Sequence, residues 1–431
     1  MEFISIKEAK SQGTGEVSLR GWVYRERGSK KLKFVVLRDS ADIIQLVIEK
    51  EVIGEEAFLV ADKLRLEASI EVSGTIKKDD RAPGGYEVAV KEFSVVGECA
   101  DFPLGQDQSP EFLLDNRHLS IRTRKQAAIL RIRSAYVQAR EQFFREEGFF
   151  RFDTPILQPT QSEGGSTIFE VKYYQEKTYL AQTWQFYGEA GIFALEKIYN
   201  FGPTFRAEKS KTSRHLSEFW MAEMEAAWFK LKDVSEFAKK ELKYCIKQTA
   251  ERCRDDFIIL EQDPDALIAM TEREWPTIKY REALALIKEK DGIEVPFGKD
   301  LRTEEEKAIM SHFDTPVCVT HYPVEAMGFY KPRDPENPDE ALCFDMLAPQ
   351  IGIEIVGGSE RSLDVKDMEE RLAADGEDIT QYSWYMDLRR MGSVPHSGYG
   401  VGTERVLQWI TGTENIKDCI PFPRTMLRFK P

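Results

Sequence analysis

The chain has 431 residues, of which 42% are hydrophobic and 31% charged, and its formal net charge is −14. This composition is typical of a folded globular protein and excludes extensive disorder. The acidic balance counts against a nucleic-acid partner unless basic residues are concentrated locally. The six cysteines include no Cys-x-x-Cys pair, which favours reduced thiols over a disulfide framework or a zinc site. We expect a cytoplasmic protein without membrane contact, because the sequence has neither an export signal nor about 18 consecutive apolar residues.

The N-terminal part of the chain alternates apolar and polar residues with the period of β-strands. The strand-like runs are residues 17–24, 32–38, 43–49, 68–77 and 86–96, with a helical run at 55–64. Three strands, a helix and two strands is the element order of a five-stranded barrel of the OB type, which commonly binds single-stranded nucleic acid. We therefore predict such a barrel over residues 1–100. A hinge or linker is predicted over residues 101–123, because its first part is rich in proline, glycine and polar residues.

The rest of the chain alternates helices and strands, which predicts a larger α+β domain over residues 124–431. Its first helix is predicted over 124–147, ending at Gly148. The predicted strands are residues 149–154, 197–205, 215–228, 316–321 and 352–356. Residues 331–338, rich in proline and charge, are predicted to form an exposed loop.

The densest group of charged residues is segment 205–219, which lies between two strand-like runs and predicts a hairpin with a charged loop. Guanidinium groups offer rigid paired donors for phosphate oxygens, so Arg206 and Arg214 in one cleft would suit a triphosphate. A merely solvated loop has the same composition, and the segment alone does not decide between the two.

Two further segments carry residue types that bind nucleotides. The glycine-rich segment 398–402 leads into an amphipathic helix with Arg405 in its first turns, and a helix start favours anions. It has neither the Gly-Lys-Ser/Thr pattern of a Walker loop nor a dinucleotide-binding fingerprint. Asp345 and Glu354 lie on or beside adjacent predicted strands, and such a pair either holds nucleotide-bound magnesium or is simply solvated. Their apolar surroundings make an unpaired charge costly, which strengthens the magnesium interpretation.

Three segments together resemble motifs one, two and three of the class II aminoacyl-tRNA synthetases. They are Pro155 after a helix and a strand, Phe-Arg-Ala-Glu at 205–208 and Gly-Val-Gly-Thr-Glu-Arg at 400–405. The N-terminal barrel resembles the anticodon-binding domain of the aspartyl, asparaginyl and lysyl subgroup, so the resemblance covers almost the whole chain. It implies an antiparallel sheet flanked by helices, the cofactors ATP and Mg²⁺, a tRNA partner and a homodimer formed through the motif-one helix and strand.

The resemblance assigns an ATP site position by position. Its residues are Arg206, Glu208, Arg214, His215, Leu216, Glu354, Gly402, Thr403, Glu404 and Arg405. Arg206 matches the arginine on the α-phosphate and the reacting carboxylate, and Arg405 matches the arginine on the γ-phosphate. With Glu208, which matches a residue near the adenylate, they are the expected catalytic residues. Asp345 and Glu354 match the magnesium ligands.

The amino-acid site is assigned in the same way. Its residues are Glu163, Gln185, Gly188, Arg206, Gly357 and Arg361. Aspartyl enzymes carry a lysine where this chain has Gly188, and the loss of that cation favours a neutral amide over a carboxylate. L-Asparagine is therefore the expected amino acid, and a lysine at position 188 is expected to shift the preference towards aspartate. Residues 198–206, 357–359 and 420–424 also follow the asparaginyl pattern.

Three features depart from the family pattern. Trp184 stands beside the amino-acid pocket where a small residue is usual, and His321 replaces a more usual asparagine or aspartate before Tyr-Pro. The segment between Asp345 and Glu354 is one residue longer than expected. None of the three removes a charged catalytic group, so they bear on the shape of the pocket.

In the barrel, Arg27, Phe34 and Gln45 match positions that read the anticodon, which makes tRNA(Asn) the expected partner. An aromatic ring on a barrel strand can stack on an unpaired base. Taken alone, Phe34 would more often be a core residue. Neighbouring basic residues are expected to supply a local positive patch; they include Arg25, Lys30, Lys31 and Lys33.

Three alternatives rank behind the asparaginyl interpretation. One is an aspartyl-tRNA synthetase, either specific or able to charge both the aspartate and the asparagine tRNA, and Gly188 is the feature against it. Another is an asparagine synthetase derived from the same fold, which would leave the barrel without a use. The last is an inactive RNA-binding paralogue, which should have lost some of Arg206, Glu354 or Arg405, all of which are present.

Overall fold

The computed structural model describes the chain except Met1 and residues 106–107, 160–166, 210–211 and 213–214. The chain divides into two compact units, Met1–Leu113 and Leu114–Pro431. Within the described ranges, no helix combines the length and the apolar character needed to cross a membrane.

The first unit is a closed five-stranded barrel with the strand order β1-β2-β3-β5-β4. Its elements are α1 (Ile6–Gln12), β1 (Gly15–Gly28), β2 (Leu32–Arg38), β3 (Ile43–Glu49), α2 (Lys50–Ile53), α3 (Glu55–Asp62), β4 (Ser69–Lys78) and β5 (Tyr86–Gly97). Alternate residues of each strand point inward, as Ile70, Val72 and Ile76 do from β4, and they form the barrel core. The predicted OB-type barrel, with its helix between the third and fourth strands, is confirmed.

The remaining elements begin with α4, which spans the boundary between the two units. They are α4 (Pro110–Asp115), α5 (Arg117–Ser120), α6 (Arg124–Glu146), β6 (Phe150–Arg151), β7 (Leu157–Gln158), β8 (Glu170–Tyr173), β9 (Glu176–Leu180), α7 (Gln185–Leu195), β10 (Lys197–Phe205), β11 (Glu218–Ala227), α8 (Leu231–Arg252), α9 (Arg254–Ile259), α10 (Pro264–Glu272), β12 (Thr277–Lys279), α11 (Tyr280–Asp291), α12 (Thr303–Met310), β13 (Val317–Thr320), β14 (Cys343–Ala348), β15 (Ile353–Glu360), α13 (Val365–Ala374), α14 (Ser383–Arg390), β16 (His396–Gly402) and α15 (Thr403–Thr411).

An eight-stranded sheet forms the centre of the second unit, in the order β12-β13-β14-β15-β16-β11-β10-β6. The six inner strands pair antiparallel, as predicted. The outermost strands β12 and β6 pair parallel to their neighbours, so the sheet as a whole is mixed rather than purely antiparallel. Strands β7, β9 and β8 form a separate three-stranded sheet.

Helices cover one face of the large sheet. Helix α6 is capped by Thr123, whose hydroxyl accepts a hydrogen bond from the backbone N–H of Gln126 at 3.4 Å. Its apolar residues recur at helical spacing, as Ile132, Tyr136 and Phe143 do, and they pack with α8 in the main core. The opposite face of the inner strands is rich in glycine, and the candidate site lies there.

Three predicted strand boundaries were wrong. The strand predicted at 149–154 is limited to Phe150–Arg151, and the one predicted from residue 215 begins at Glu218. The last, predicted to end at residue 356, continues to Glu360 through Gly357 and Gly358. Glycine has low strand propensity, but here both glycines pair with strands on either side, so tertiary pairing overrides the local preference.

Candidate active site

Glycines open the floor of the site. Asp345 of β14 pairs with Gly357 of β15, Gly357 pairs with Gly400 of β16, and Gly400 pairs with Glu223 of β11. Directly opposed residues share one face of a sheet, so two carboxylates flank two positions without side chains. A Cβ atom at Gly357 would lie 2.9 Å from Glu354 Oε1 and 3.4 Å from Asp345 Oδ1. A cavity of about 670 Å³ occupies the space above these glycines.

A β-bulge directs Glu354 into this cavity. Met346 pairs with Val356, but the next residue, Leu347, pairs with Glu354, so Ile355 has no partner on β14. In regular alternation Glu354 and Gly357 would face opposite sides of the sheet. The extra residue reverses this, because Glu354 Oε1 lies beside the Gly357 backbone. The bulge therefore aims a carboxylate at the site, and its extra residue, Ile355, follows Glu354 rather than lying in the extended segment noted in the sequence.

Asp345 and Glu354 fit a divalent cation. Asp345 is half-buried. Desolvation, followed by the charge of Glu354, raises the pKa of Asp345 well above its usual range, although Lys331 opposes the rise. Both carboxylates line the cavity. A hard cation bound between carboxylate oxygens would offset this repulsion, which is the donor chemistry that Mg²⁺ prefers.

One end of the cavity is formed by a buried ion pair. Arg361 donates from Nε to Glu225 Oε1 at 3.0 Å and from Nη2 to Glu225 Oε2 at 2.9 Å, and its Nη1 donates to Ser359 Oγ at 2.9 Å. Burial raises the pKa of Glu225, and the guanidinium opposes this rise. Gly398 leaves room for the pair, since a Cβ there would lie 2.7 Å from Arg361 Nη2. The cavity end thus offers a cationic donor and an anionic acceptor side by side.

Gln185 lines the same cavity, and a residue behind the cavity wall fixes its side chain. Its Nε2 donates to Glu189 Oε1 at 2.8 Å, one helical turn further along α7. Glu189 also accepts from Tyr385 Oη at 2.6 Å, from His396 Nε2 at 3.1 Å and from Arg389. Burial alone would raise the pKa of Glu189, but Arg389, His396 and Arg361 together hold it below its ordinary value.

Glu189, Glu225 and His396 are close enough together to chelate a metal ion. Their carboxylates, however, already bind the guanidinium groups of Arg389 and Arg361. We interpret this cluster as a buried ion-pair network, because two cations already fill the place of a metal ion.

Trp184 and Gly188 pack against each other. The Trp184 indole Nε1 donates to the backbone oxygen of Phe152 at 2.7 Å, and its backbone N–H donates to Glu223 Oε2 at 2.9 Å. Its ring covers Gly188, where any Cβ atom would overlap the indole carbons. Trp184 lines the cavity, whereas Gly188 lies behind it and is not part of the cavity wall. The Trp184 ring therefore fills the space that a side chain at position 188 would need.

Arg206 lies where two cavities meet. It lines the large cavity and also a neighbouring one of about 70 Å³, together with Met221, Glu354 and Gly400. The smaller cavity is completed by Glu208, His215, Leu216, Phe219, Gly402, Glu404, Arg405 and Ile416. The Arg206 guanidinium carbon lies 5.6 Å from the centre of the Phe219 ring. Arg405 Nη1 donates to both the carboxylate and the backbone oxygen of Glu354 at 3.0 Å.

The glycine-rich segment before Arg405 is a strand. It belongs to β16, which leads directly into α15 at Thr403, so Arg405 lies in the first turn of the helix as expected. The glycines still permit close approach, but from the floor of the sheet. Glu404 is engaged elsewhere, because its carboxylate accepts from Arg133 at 2.6 Å and from the Trp220 backbone at 3.0 Å.

A family model for the class II tRNA synthetases of the D, K and N type matches residues 109–426, and a model for the OB-fold nucleic acid binding domain matches residues 17–96. The chain belongs to the class II tRNA synthetases. The Asparagine–tRNA ligase of Thermoplasma acidophilum is 42% identical over 99% of this chain and 100% of its own length. That of Chloroflexus aurantiacus is 44% identical over 96% of both chains.

Among solved structures, the asparaginyl-tRNA synthetase from Pyrococcus horikoshii complexed with asparaginyl-adenylate superposes with a TM-score of 0.95. It is 40% identical to this synthetase, and the alignment covers 100% of both chains.

The structure brings most of the predicted site residues of this synthetase together. Of the ATP-site set, seven residues besides Arg206 line the smaller cavity: Glu208, His215, Leu216, Glu354, Gly402, Glu404 and Arg405. Thr403 is buried in α15 and is not on the wall. Gln185, Arg206, Gly357 and Arg361 line the large cavity. Glu163 and Arg214 lie outside the described residues.

The sequence alone did not point to the acidic residues that lie at and behind the end of the large cavity near Arg361. Glu223 and Glu225 are two apart in a strand that is otherwise largely apolar, a spacing that places both on one face. That pattern was available in the sequence. Glu189 and His396, in contrast, meet only through the folding of α7 against β16, and no local pattern connects them.

The predicted anticodon residues lie on the outer face of the barrel. Arg27 pairs with Phe34 across β1 and β2, and its guanidinium lies 5.3 Å from the ring centre. Phe34 is only half-buried and faces away from the barrel core, so the core alternative for it was wrong. Gln45 is buried, and its Nε2 donates to Glu87 Oε2 at 3.0 Å. Lys33 does not join the basic patch, because it is bound to Glu26 at 3.0 Å and to Asp62 at 3.2 Å.

Proposed function

We propose that this synthetase activates L-asparagine with ATP to form asparaginyl-adenylate and pyrophosphate, then transfers the asparaginyl group to tRNA(Asn) and releases AMP. One observation carries the proposal: Arg206 lies at the junction between a cavity that ends in the Arg361–Glu225 pair and a cavity that contains Arg405. An amino acid in the first and a nucleotide in the second would meet at Arg206. The named relatives, matched over their full lengths, support the same reaction.

The first step is an in-line attack of the asparagine carboxylate on the α-phosphorus of ATP, with pyrophosphate as the leaving group. Arg206 holds both reacting groups and neutralises the charge that develops between them. Arg405 binds the γ-phosphate and is itself oriented by Glu354. Asp345 and Glu354 would hold Mg²⁺, which when bound neutralises phosphate charge. No protein nucleophile is needed.

The Arg361–Glu225 pair favours an amide over an acid. The amide oxygen of asparagine can accept from Arg361 while its NH₂ group donates to Glu225. The side-chain carboxylate of aspartate would meet the like charge of Glu225 in a desolvated pocket. Gly188 supplies no further cation to offset that charge. These contacts support asparaginyl over aspartyl activity.

The Arg27, Phe34 and Gln45 surface is proposed to bind the anticodon. Phe34→Ala is expected to raise the KM for tRNA by about tenfold or more, because a base–aromatic stack contributes about 1–3 kcal/mol. Adenylate formation, which requires only the second unit, should be unchanged. The measurement is tRNA charging at limiting tRNA beside pyrophosphate exchange without tRNA.

A matched control for this variant is Phe3→Ala. Phe3 is exposed on the same unit and also lies 5.3 Å from an arginine, Arg20. It should leave both activities unchanged. Normal charging by Phe34→Ala at limiting tRNA would show that the anticodon assignment is wrong.

We further propose a twofold homodimer, with the activity in the cytoplasm where its substrates tRNA and ATP meet. Large apolar residues follow α6 on the surface: Phe150, Ile156 and Leu157 are 56%, 43% and 40% exposed. Such a group is costly to leave in water and suits a self-complementary interface. Light scattering of the purified chain measures this directly, and a monomer would contradict it.

Charging of a tRNA(Asn) transcript with labelled asparagine tests the whole reaction. We expect label on the tRNA that depends on ATP and on the asparagine anticodon. A matched transcript with an aspartate anticodon should be charged poorly with either amino acid. Ammonia-dependent release of free asparagine from aspartate would instead support a synthetase of the amino acid itself.

A further inference from the structure

A buried ionic network lies behind the wall of the amino-acid cavity. It combines two carboxylates, Glu189 and Glu225, with two guanidinium groups, Arg361 and Arg389, and the imidazole of His396. All five residues are at least nine-tenths buried. Only Glu225 and Arg361 reach the cavity. The part behind the wall therefore acts on a ligand only through these two residues or through Gln185.

Glu189 determines which way the Gln185 amide faces. A carboxylate can only accept hydrogen bonds, so the Gln185 atom that faces Glu189 Oε1 at 2.8 Å must be the NH₂ group. The carbonyl oxygen of Gln185 is then the amide atom available to a ligand. An acceptor oriented in this way suits the ammonium group of an amino acid.

Glu189 also contributes to the charge balance of Arg361. Its Oε1 lies 3.7 Å from Arg361 Nε, close to the ion pair that Arg361 makes with Glu225. In a desolvated site a charge at this distance is weakly screened. Removing the negative charge of Glu189 would leave Arg361 with excess positive charge, which a substrate carboxylate could neutralise.

We propose that Glu189 is a positioning and specificity-determining residue: it orients Gln185 towards the substrate ammonium and limits the positive charge of Arg361, so that asparagine is preferred to aspartate. The proposal rests on the adenylate-forming function above. It assigns the discrimination between amide and acid partly to a residue that does not touch the substrate.

Glu189→Gln tests both parts in pyrophosphate exchange with asparagine and with aspartate. The two side chains have nearly the same shape, and a glutamine can still accept from Arg389 and His396 with its oxygen. We expect KM for asparagine to rise about tenfold with a smaller change in kcat, because Gln185 can turn its amide over. The ratio of kcat/KM for asparagine to that for aspartate should fall at least about tenfold.

Two further variants separate charge from shape. Glu189→Asp keeps the charge but shortens the side chain, so KM should rise while the asparagine-to-aspartate ratio stays within about twofold of the unmodified enzyme. Arg389→Gln removes a positive charge from the same network and should leave the ratio unchanged or raise it. If Glu189→Gln does not fold, the direction in which Arg389→Gln changes the asparagine-to-aspartate ratio still tests the charge balance.

Equal loss of activity with both amino acids in Glu189→Gln, or a lower ratio in Arg389→Gln, would overturn the proposal and leave the network a purely structural role. Failure of the unmodified enzyme to exchange with asparagine would instead refute the proposed function. The two failures are therefore distinguishable in one series of assays.

Discussion

Replacing Arg206 by alanine is expected to reduce asparagine-dependent pyrophosphate exchange by about 10³-fold. Arg206 is the charged side chain shared by both cavities together with Glu354, and it is the one that can neutralise negative charge where they join. Preorganised donors at a developing charge typically contribute 10²–10³-fold each, and a guanidinium belongs to the stronger class. The loss should appear mainly in kcat, since the interaction strengthens as the α-phosphate becomes more negative.

Two controls separate this effect from a loss of fold. Arg206→Lys keeps the charge without the paired donors and should recover only part of the activity. Arg254→Ala removes an arginine that is exposed on α9 and paired with Asp265 at 2.6 Å. Arg254 has no role in the proposed reaction. A surface ion pair contributes about 0–1 kcal/mol to the free energy of unfolding, so this variant should stay folded and have normal activity. Near-normal exchange by Arg206→Ala would refute its role in adenylate formation.

Replacing Trp184 by alanine and Gly188 by lysine together is expected to permit activation of aspartate. Gly188→Lys alone is not expected to do so. The sequence by itself predicted that a lysine at 188 would suffice. The structure changes our expectation, because the Trp184 ring occupies the space that any side chain at 188 would need. Overpacking of this kind costs about 1–3 kcal/mol. The single variant should therefore lose thermal stability and activity with both amino acids.

In the double variant Trp184→Ala with Gly188→Lys, the removed ring leaves room for the lysine. Its ammonium could then approach the cavity end and pair with a substrate carboxylate, and the preference for asparagine should fall at least about tenfold. Trp184→Ala alone is the matched control, which opens the space without adding charge. Unchanged selectivity in a folded double variant would sink this account of position 188.

Much of the fold follows from local patterns. The barrel strands were predicted because a period of two is strong where one face is buried, as in β4 with Ile70 and Val72. The β15 strand was cut short because Gly357 and Gly358 have little strand propensity of their own, and only pairing on both sides makes them a strand. The parallel edge strands are short, and no local signal specifies which neighbour they join.

The site was predicted in composition but not in its supporting contacts. Arg206, Arg405 and Glu354 were assigned by position through the resemblance, and they line one cavity. The bulge at Ile355 was not predicted, since its effect on the direction of Glu354 depends on strand register. The Glu189 network joins α7, α14 and β16, which are far apart in sequence, so its members could not be connected before the fold was known.

Amino-acid-dependent exchange of pyrophosphate into ATP, measured without tRNA and in the presence of Mg²⁺, compares asparagine with aspartate in a single assay. We expect rapid exchange with asparagine and little with aspartate, since the Arg361–Glu225 pair complements an amide and Gly188 adds no cation. Exchange with aspartate alone would retain the adenylate chemistry but contradict the assignment of asparagine. Exchange with neither amino acid would contradict the enzymatic role of the joined cavities altogether.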